Sequence, residues 1–351
     1  MPEPAVYFEG REISAGAPVF IIAEAGVNHN GDPALAEALV IEAGRRGADC
    51  VKFQTFKAER LVRTDSPKAA YQNETTDPGE SQLDMLRRLE LSEEQHRRLV
   101  DLCREQGLLY LSTPYGEADV DLLESFGVGA YKIASALAVE PVFLRRVAGT
   151  GKPVFLSTGM CTLADVDRAV RVIREAGNDR IVLLQCTTNY PSRSEDAHLR
   201  AMTSMAGALD VLVGYSDHTP SLTSAVAAVA LGACVIERHF TLDKSLPGPD
   251  HSSSSDPEEF GRLVEAVREA SAALGSPVKR PGERELRNAP FMRRGIYAGR
   301  DIPAGALLTR DKLDLKRPRG LLGADELERV LGRPAASDIA AGEAIGPGRV
   351  A

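Results

Sequence analysis

Between residues 19 and 275 the sequence alternates a short β-rich run with a stretch of helical pattern, eight times in succession. This alternation restricts the fold more than any other feature, because strand–helix repeats put the strands parallel and the helices on the sheet faces. The β-rich runs are residues 19–23, 48–53, 108–111, 130–133, 153–156, 181–184, 211–214 and 234–238. The first helix starts at Asp32-Pro33, a cap residue followed by proline at the first helical position. The second starts at Ser92, with Gln95 completing a capping box. Helices are further expected near residues 117–126, 140–149, 163–176, 198–208, 221–231 and 257–273. Eight units match the count of a (β/α)8 TIM barrel, and a doubly wound open sheet is the alternative that the pattern leaves open. Segment 55–91 is long for a βα loop; with Tyr71, Asn73 and Asp77-Pro78-Gly79 it reads as a lid over the barrel mouth.

The pattern changes after residue 275. Residues 276–290, opening on a stretch with two prolines and two basic residues, read as a linker. Residues 291–351 read as a small β-rich module with one helix near 324–331. Such a module is only marginally able to fold alone, so it is expected to dock onto something else.

Composition narrows the function classes. A net charge of −8 argues against broad nucleic-acid binding. The longest apolar runs fall far short of the ~20 residues of a membrane helix, and the N-terminal sequence has no signal-like core. The five cysteines are scattered without a C-x-x-C pair, which suits reduced thiols in a cytoplasm.

In a barrel of this kind the active site lies at the C-terminal ends of the strands. Every expected strand end here carries polar groups: Glu24; Lys52 and Gln54; Ser112 and Thr113; Lys132 and Ser135; Ser157; Cys186 through Tyr190, including Thr188 and Asn189; Ser216, Asp217 and His218; Glu237 and His239. Unpaired buried polar groups cost about 1–3 kcal/mol each, so this convergence has to be compensated by a ligand or by mutual pairing. Two lysines and several hydroxyls suit a compact anion. His218 and His239 on neighbouring strand ends suit an exchangeable divalent metal with open positions. Glu24 and Glu237 are candidate acid–base groups. Cys186 reads as a small buried apolar residue rather than a nucleophile.

The motifs I-I-A-E-A-G-V-N-H-N-G (21–31), V-K-F-Q-T-F (51–56), S-Q-L-D-M-L (81–86), S-T-P (112–114), Y-K-I-A-S (131–135), L-S-T-G-M (156–160), C-T-T-N-Y-P (186–191), G-Y-S-D-H-T (214–219), E-R-H-F-T (237–241) and P-G-P-D-H (247–251) together resemble the sialic acid synthase family. The stretch R-R-G-I-Y-A-G-R-D-I-P-A-G with L-K-R-P-R-G resembles the antifreeze-like (SAF) module that ends such enzymes. The resemblance implies condensation of phosphoenolpyruvate with an acylamino sugar of the N-acetylmannosamine kind, releasing phosphate. It implies a divalent ion on His218 and His239, Mn²⁺ first, with Mg²⁺ or Co²⁺ as alternatives. Lys52, Thr113, Lys132, Ser135, Ser157 and Ser216 match phosphoenolpyruvate-binding positions, and Thr188 falls in the same phosphate-contacting region. Glu24, Gln54, Tyr190, Glu237 and Asp250 match positions around the sugar and the reacting centre. Arg317 matches an arginine given to the partner subunit's site in a domain-swapped homodimer.

Two departures from the family pattern stand out. The family usually has S-G-E or S-F-E where this chain has Ser135-Ala136-Leu137, so Leu137 is expected to replace a carboxylate that would hold a sugar hydroxyl. Thr188, followed by Asn189, stands where the family often has Asn. Two other functions compete with this reading: condensation with a different aldose, as in 3-deoxy-ulosonate synthases, and non-catalytic sugar binding.

Overall fold

In the computed structural model, which describes residues 4–77 and 79–351, the chain divides into two compact units that meet between Gly275 and Ser276. Pro78 of the expected lid lies outside the described residues. The first unit contains eight parallel strands: β3 (Phe20–Gly26), β4 (Cys50–Thr55), β5 (Leu109–Pro114), β6 (Tyr131–Ile133), β7 (Val154–Ser157), β8 (Ile181–Cys186), β9 (Leu212–Asp217) and β10 (Val235–His239). They follow one another around a nearly closed barrel in the order β5-β4-β3-β10-β9-β8-β7-β6. The TIM barrel is therefore the fold, and the open sheet is excluded. Helices begin where the caps required: Asp32 accepts from Ala34 N with Pro33 next, and Ser92 pairs reciprocally with Gln95.

The period of two along each strand divides the side chains into two sets. One set faces the helices and forms the large apolar layer containing Ile21, Ala23, Val51, Phe53, Tyr131, Leu156, Leu183, Tyr215 and Ile236. The other set fills the barrel. Its lower positions are apolar: Phe20, Ile22, Cys50, Leu109, Leu111, Phe155, Val182, Leu184, Leu212 and Val235. Two residues further along the same strands it turns polar, with Glu24, Lys52, Thr113, Ser157 and Glu237. The barrel is thus a sealed apolar plug below and a polar chamber above.

Sequence reasoning did not anticipate the N-terminal hairpin, β1 (Ala5–Phe8) with β2 (Arg11–Ser14). Glu9 and Gly10 both take positive φ (47° and 83°), the geometry of a two-residue turn matched to strand twist, and one that glycine adopts without strain. Val6, Phe8 and Ile13 complete the lower apolar cluster. The Phe8 ring lies 6.0 Å from Phe20 and 5.9 Å from Phe155 and is fully buried.

In the second unit, β11 (Gly295–Ala298) pairs antiparallel with β12 (Leu313–Lys316) over a small core that includes Ile296, Ile302, Leu308, Leu313, Ile339 and Ile345. The expected helix near 324–331 is a 3₁₀ turn, Ala324–Glu326, followed by a short helix, Leu327–Val330. The stretch read as a linker is not all coil: Glu283–Met292 is helical, with Glu283 and Glu285 in its first turn favouring the helix dipole.

Truncating Phe8 to alanine should cost about 3–5 kcal/mol, as for other fully buried phenylalanines. Urea denaturation followed by circular dichroism measures this. A loss below about 1 kcal/mol, the range of a minor surface change, would mean that the hairpin is an ornament and not part of the barrel core.

Candidate active site

The polar chamber opens into a cavity of about 350 Å³ at the C-terminal ends of the strands. Its floor holds four buried charges. The register pairs Glu24 with Lys52, and Lys52 Nζ lies 2.9 Å from Glu24 Oε2 and 3.7 Å from Glu237 Oε1. Lys132 Nζ is also 3.7 Å from Glu237 Oε1. Two positive and two negative groups therefore cancel in a space where an unpaired charge would be prohibitively costly. Lys52 also donates to Thr113 Oγ1 (3.3 Å), and Ser216 Oγ donates to Glu237 Oε1 (2.9 Å).

The electrostatics differ between the two carboxylates. Burial pushes Glu24 up to about 7, with Lys52 opposing. Burial also acts to raise Glu237, but Lys132 and Lys52 outweigh it and hold this carboxyl below its ordinary value. Lys132 is itself held below the usual lysine range, by burial first. One carboxyl is thus poised to carry a proton near neutrality while the other stays ionised, which is the separation that acid–base chemistry requires.

On one side of the floor stand two imidazoles. His218 and His239 have ring centroids 5.3 Å apart, and the Tyr190 ring packs tilted against His218 at 4.3 Å and edge-on to His239 at 5.6 Å. His218 Nδ1 contacts the Thr187 carbonyl at 2.7 Å; since a carbonyl only accepts, Nδ1 carries a proton, which leaves Nε2 as the nitrogen that could face a ligand. Burial acts to lower this imidazole, but Cys186 and the Thr187 carbonyl outweigh it and raise it above its ordinary value. Burial, with His218 and Lys52 beside it, pushes His239 well below the imidazole range, so that ring is neutral. Its Nδ1 has no hydrogen-bond partner among the described residues and lies 3.9 Å from Asp250 Oδ2. Burial raises the Asp250 carboxyl to about 6. Two imidazoles with an orphaned buried nitrogen fit an exchangeable divalent ion. Among the described residues no group of three or more His, Cys, Asp and Glu side chains forms a closed metal cage.

The hydroxyls complete the site. Ser157 Oγ is buried and has no partner among the described residues. Ser135 Oγ accepts from Gly159 N at 2.9 Å. Gly159 is required here because a Cβ would collide with the Ser135 and Thr188 hydroxyls. Gln54 bridges outward, donating to Glu24 Oε1 (3.4 Å) and accepting from Tyr115 OH (3.3 Å).

Of the fifteen site residues expected in the barrel, fourteen line this cavity and Asn189 does not; the sixteenth, Arg317, was expected at the partner's site. Asn189 is exposed on the loop after β8, its backbone turned toward Thr187 O, and does not reach the cavity. Arg317 lies in the second unit, exposed after β12, with Nη1 3.9 Å from Met292 Sδ. The reading of Leu137 is also corrected. Its side chain packs in the layer between strands and helices, and Ala136 lines the cavity instead. Asp217, grouped with the histidines by adjacency, points to the opposite side of β9, where it pairs with Arg238. Sequence reasoning missed Tyr115 and the individual residues of the roof. Leu61, Gln72, Gln82, Met85 and Leu86 come from the expected lid segment, which does cover the cavity. Its helices Ala58–Leu61 and Gln82–Arg88 were hidden by their shortness.

With this geometry in hand, comparison with known proteins is specific. Residues 39–279 match the NeuB family and residues 293–351 the SAF domain. The chain is 44% identical over 330 residues to an N,N'-diacetyllegionaminic acid synthase of Legionella pneumophila, covering 93% of each. A second N,N'-diacetyllegionaminic acid synthase, from Campylobacter jejuni, is 41% identical over 327 residues, covering 93% of this chain and 98% of the relative. Among solved structures, an N-acetylneuraminic acid synthetase of Leptospira borgpetersenii in complex with citrate superimposes with a TM-score of 0.74 at 28% identity, over 82% of this chain and 95% of that one.

The Glu24 carboxyl makes stability pH-dependent. In the unfolded chain it releases its proton near an ordinary 4.5, whereas in the fold it keeps it to about 7. Its contribution is therefore complete below about pH 4.5 and declines as pH rises through 7. Glu24→Gln should flatten the fall in unfolding free energy between pH 5 and 7, measured by urea titration at a series of pH values. An unchanged slope would remove Glu24 as the group responsible.

Proposed function

The chain belongs to the NeuB family, with a C-terminal SAF domain, and from that premise we propose that it condenses phosphoenolpyruvate with an acylamino hexose to give a nonulosonic acid and phosphate. The observation that carries this reading is the meeting of two lysines, three carboxyl groups, two imidazoles and a set of hydroxyls in one chamber. Lys52 and Lys132, with Thr113, Ser135, Ser157, Thr188 and Ser216, bind the carboxylate and phosphate of phosphoenolpyruvate through charge-assisted bonds. Carbon 3 of phosphoenolpyruvate attacks the sugar aldehyde, water adds at carbon 2, and phosphate leaves as the C–O bond breaks. Glu24, Gln54, Tyr190, Glu237 and Asp250 surround the sugar and the reacting carbons, with Glu24 and Glu237 moving the protons. His218 and His239 hold a divalent ion, Mn²⁺ foremost, which when bound polarises the aldehyde oxygen. The work is done in the cytoplasm.

The two relatives named as N,N'-diacetyllegionaminic acid synthases support a sugar with two acetamido groups. In a coupled phosphate-release assay, such a diacetamido hexose should be preferred over N-acetylmannosamine by roughly tenfold or more in kcat/KM. Rigorous chelation should abolish turnover and Mn²⁺ should restore it. Preferred use of N-acetylmannosamine would refute the sugar assignment, and full activity after proven metal removal would refute the metal.

We also propose a homodimer in which Arg317 of the SAF module serves the partner's barrel. Arg317 is exposed, and a guanidinium offers a rigid fork of donors for sugar hydroxyl or acyl oxygens. Inactive His239→Ala and Arg317→Ala chains, co-expressed, should regain activity in mixed dimers. Verified mixed dimers that remain dead, with each variant folded, would show that the sites are not shared.

A further inference from the structure

Behind the two imidazoles, on the opposite side of the same strands, lies a buried ion pair that the proposed chemistry does not use. Asp217 and Arg238 are register partners on β9 and β10, immediately preceding His218 and His239. Both are buried, at 0% and 4% exposure. Arg238 Nη1 donates to Asp217 Oδ2 at 2.7 Å, and Arg238 Nε donates to Ser255 Oγ at 2.9 Å. Asp217 Oδ1 accepts from Thr219 N and Thr219 Oγ1, both at 2.8 Å. Ser255 in turn is tied by backbone bonds to both sides of β10's end, its N–H donating to His239 O (2.9 Å) and its carbonyl accepting from Thr241 N (3.0 Å).

The arrangement brackets each histidine. His218 stands between Asp217 and Thr219, which hydrogen-bond each other. His239 stands beside Arg238, and its own carbonyl is held by Ser255, the residue that Arg238 also grips. A buried ion pair is a poor source of stability, because desolvation offsets most of the attraction and an apolar pair of similar volume serves as well. What it supplies is direction: a fork of fixed donors and acceptors permits one arrangement of the two strand ends. We infer that Asp217 and Arg238 are positioning residues that set the separation and orientation of the His218 and His239 rings. They touch neither substrate nor ion. The inference rests on the reading that these two imidazoles hold a divalent cation.

The test compares three folded proteins: wild type, the doubly neutral Asp217→Asn/Arg238→Met, and the conservative Arg238→Lys. In the double variant the carbonyl of the introduced amide still accepts from Thr219, so the loop keeps its cap while both charges disappear together. Mn²⁺ affinity is measured directly by electron paramagnetic resonance, phosphoenolpyruvate affinity by calorimetry, and stability by thermal unfolding. The expected result is a cooperative melt for all three. Mn²⁺ affinity should fall by ~10–100-fold in the double variant, as when groups supporting metal-bound histidines are removed elsewhere. Phosphoenolpyruvate binding should change by less than about threefold, because both of its lysines stand on β4 and β6 and, of its proposed contacts, only Ser216 lies on β9. Arg238→Lys, which keeps the charge but loses the fork, should fall between the two. A double variant that melts cooperatively and binds Mn²⁺ as tightly as wild type would overturn the inference while leaving the metal reading intact. A wild type that binds no divalent ion would overturn both. If the double variant does not fold, Arg238→Lys decides: unchanged Mn²⁺ affinity there overturns the inference, and weakened affinity with intact phosphoenolpyruvate binding supports it.

Discussion

The structure depends on the mutual neutralisation of Glu24, Lys52, Lys132 and Glu237 inside the barrel. Each of these charges, taken from water alone, would destabilise the fold severely. They are tolerable because the parallel register puts Glu24 beside Lys52, and both lysines within 3.7 Å of Glu237. The result is a polar layer that is electrically balanced yet not saturated, since Glu237 Oε2 keeps a buried oxygen with no partner among the described residues. Glu24, raised to about 7 by burial, is the member of this quartet nearest to taking a proton at neutral pH.

The fold was largely legible in the sequence because its signal is periodic and repeated. Eight strand runs were placed to within a few residues, and the caps at Asp32 and Ser92 began helices as expected. The N-terminal hairpin escaped because four-residue strands leave too little periodicity to read, and its meaning depends on a cavity that only the closed barrel creates. The polar strand ends were equally visible as residue types, since lysine or glutamate within an apolar run is conspicuous. Their directions were not. Asp217 was grouped with the histidines by proximity in sequence, but a shift of one residue in a strand turns a side chain to the other face. Leu137, singled out from the family pattern, sits on the 3₁₀ turn Ser135–Val139, where its neighbour Ala136 faces the cavity and Leu137 turns to the apolar layer. Roof residues such as Met85 and Leu86 sit on a short helix, and nothing in their apolar character separates a cavity wall from a core.

The two faces of β9 and β10 illustrate a division of labour. Ser216, His218, Glu237 and His239 line the chamber, while Asp217 and Arg238 bond behind it. Chemistry on the inner face needs groups left partly unsatisfied. That incompleteness is tolerable because the outer face is bonded to excess, through Thr219 and Ser255.

The hairpin at the foot of the barrel has a further consequence. With Phe8 sealing the lower end, the chamber communicates with solvent at its upper end, beneath a roof of Leu61, Met85 and Leu86. A tube closed at one end behaves as a stack. Anything that occupies the floor beside the lysines would be shut in by anything bound above it. The direction of the mouth thus follows from what fills the other end of the barrel, an apolar plug that a two-strand stopper completes without lining the cavity.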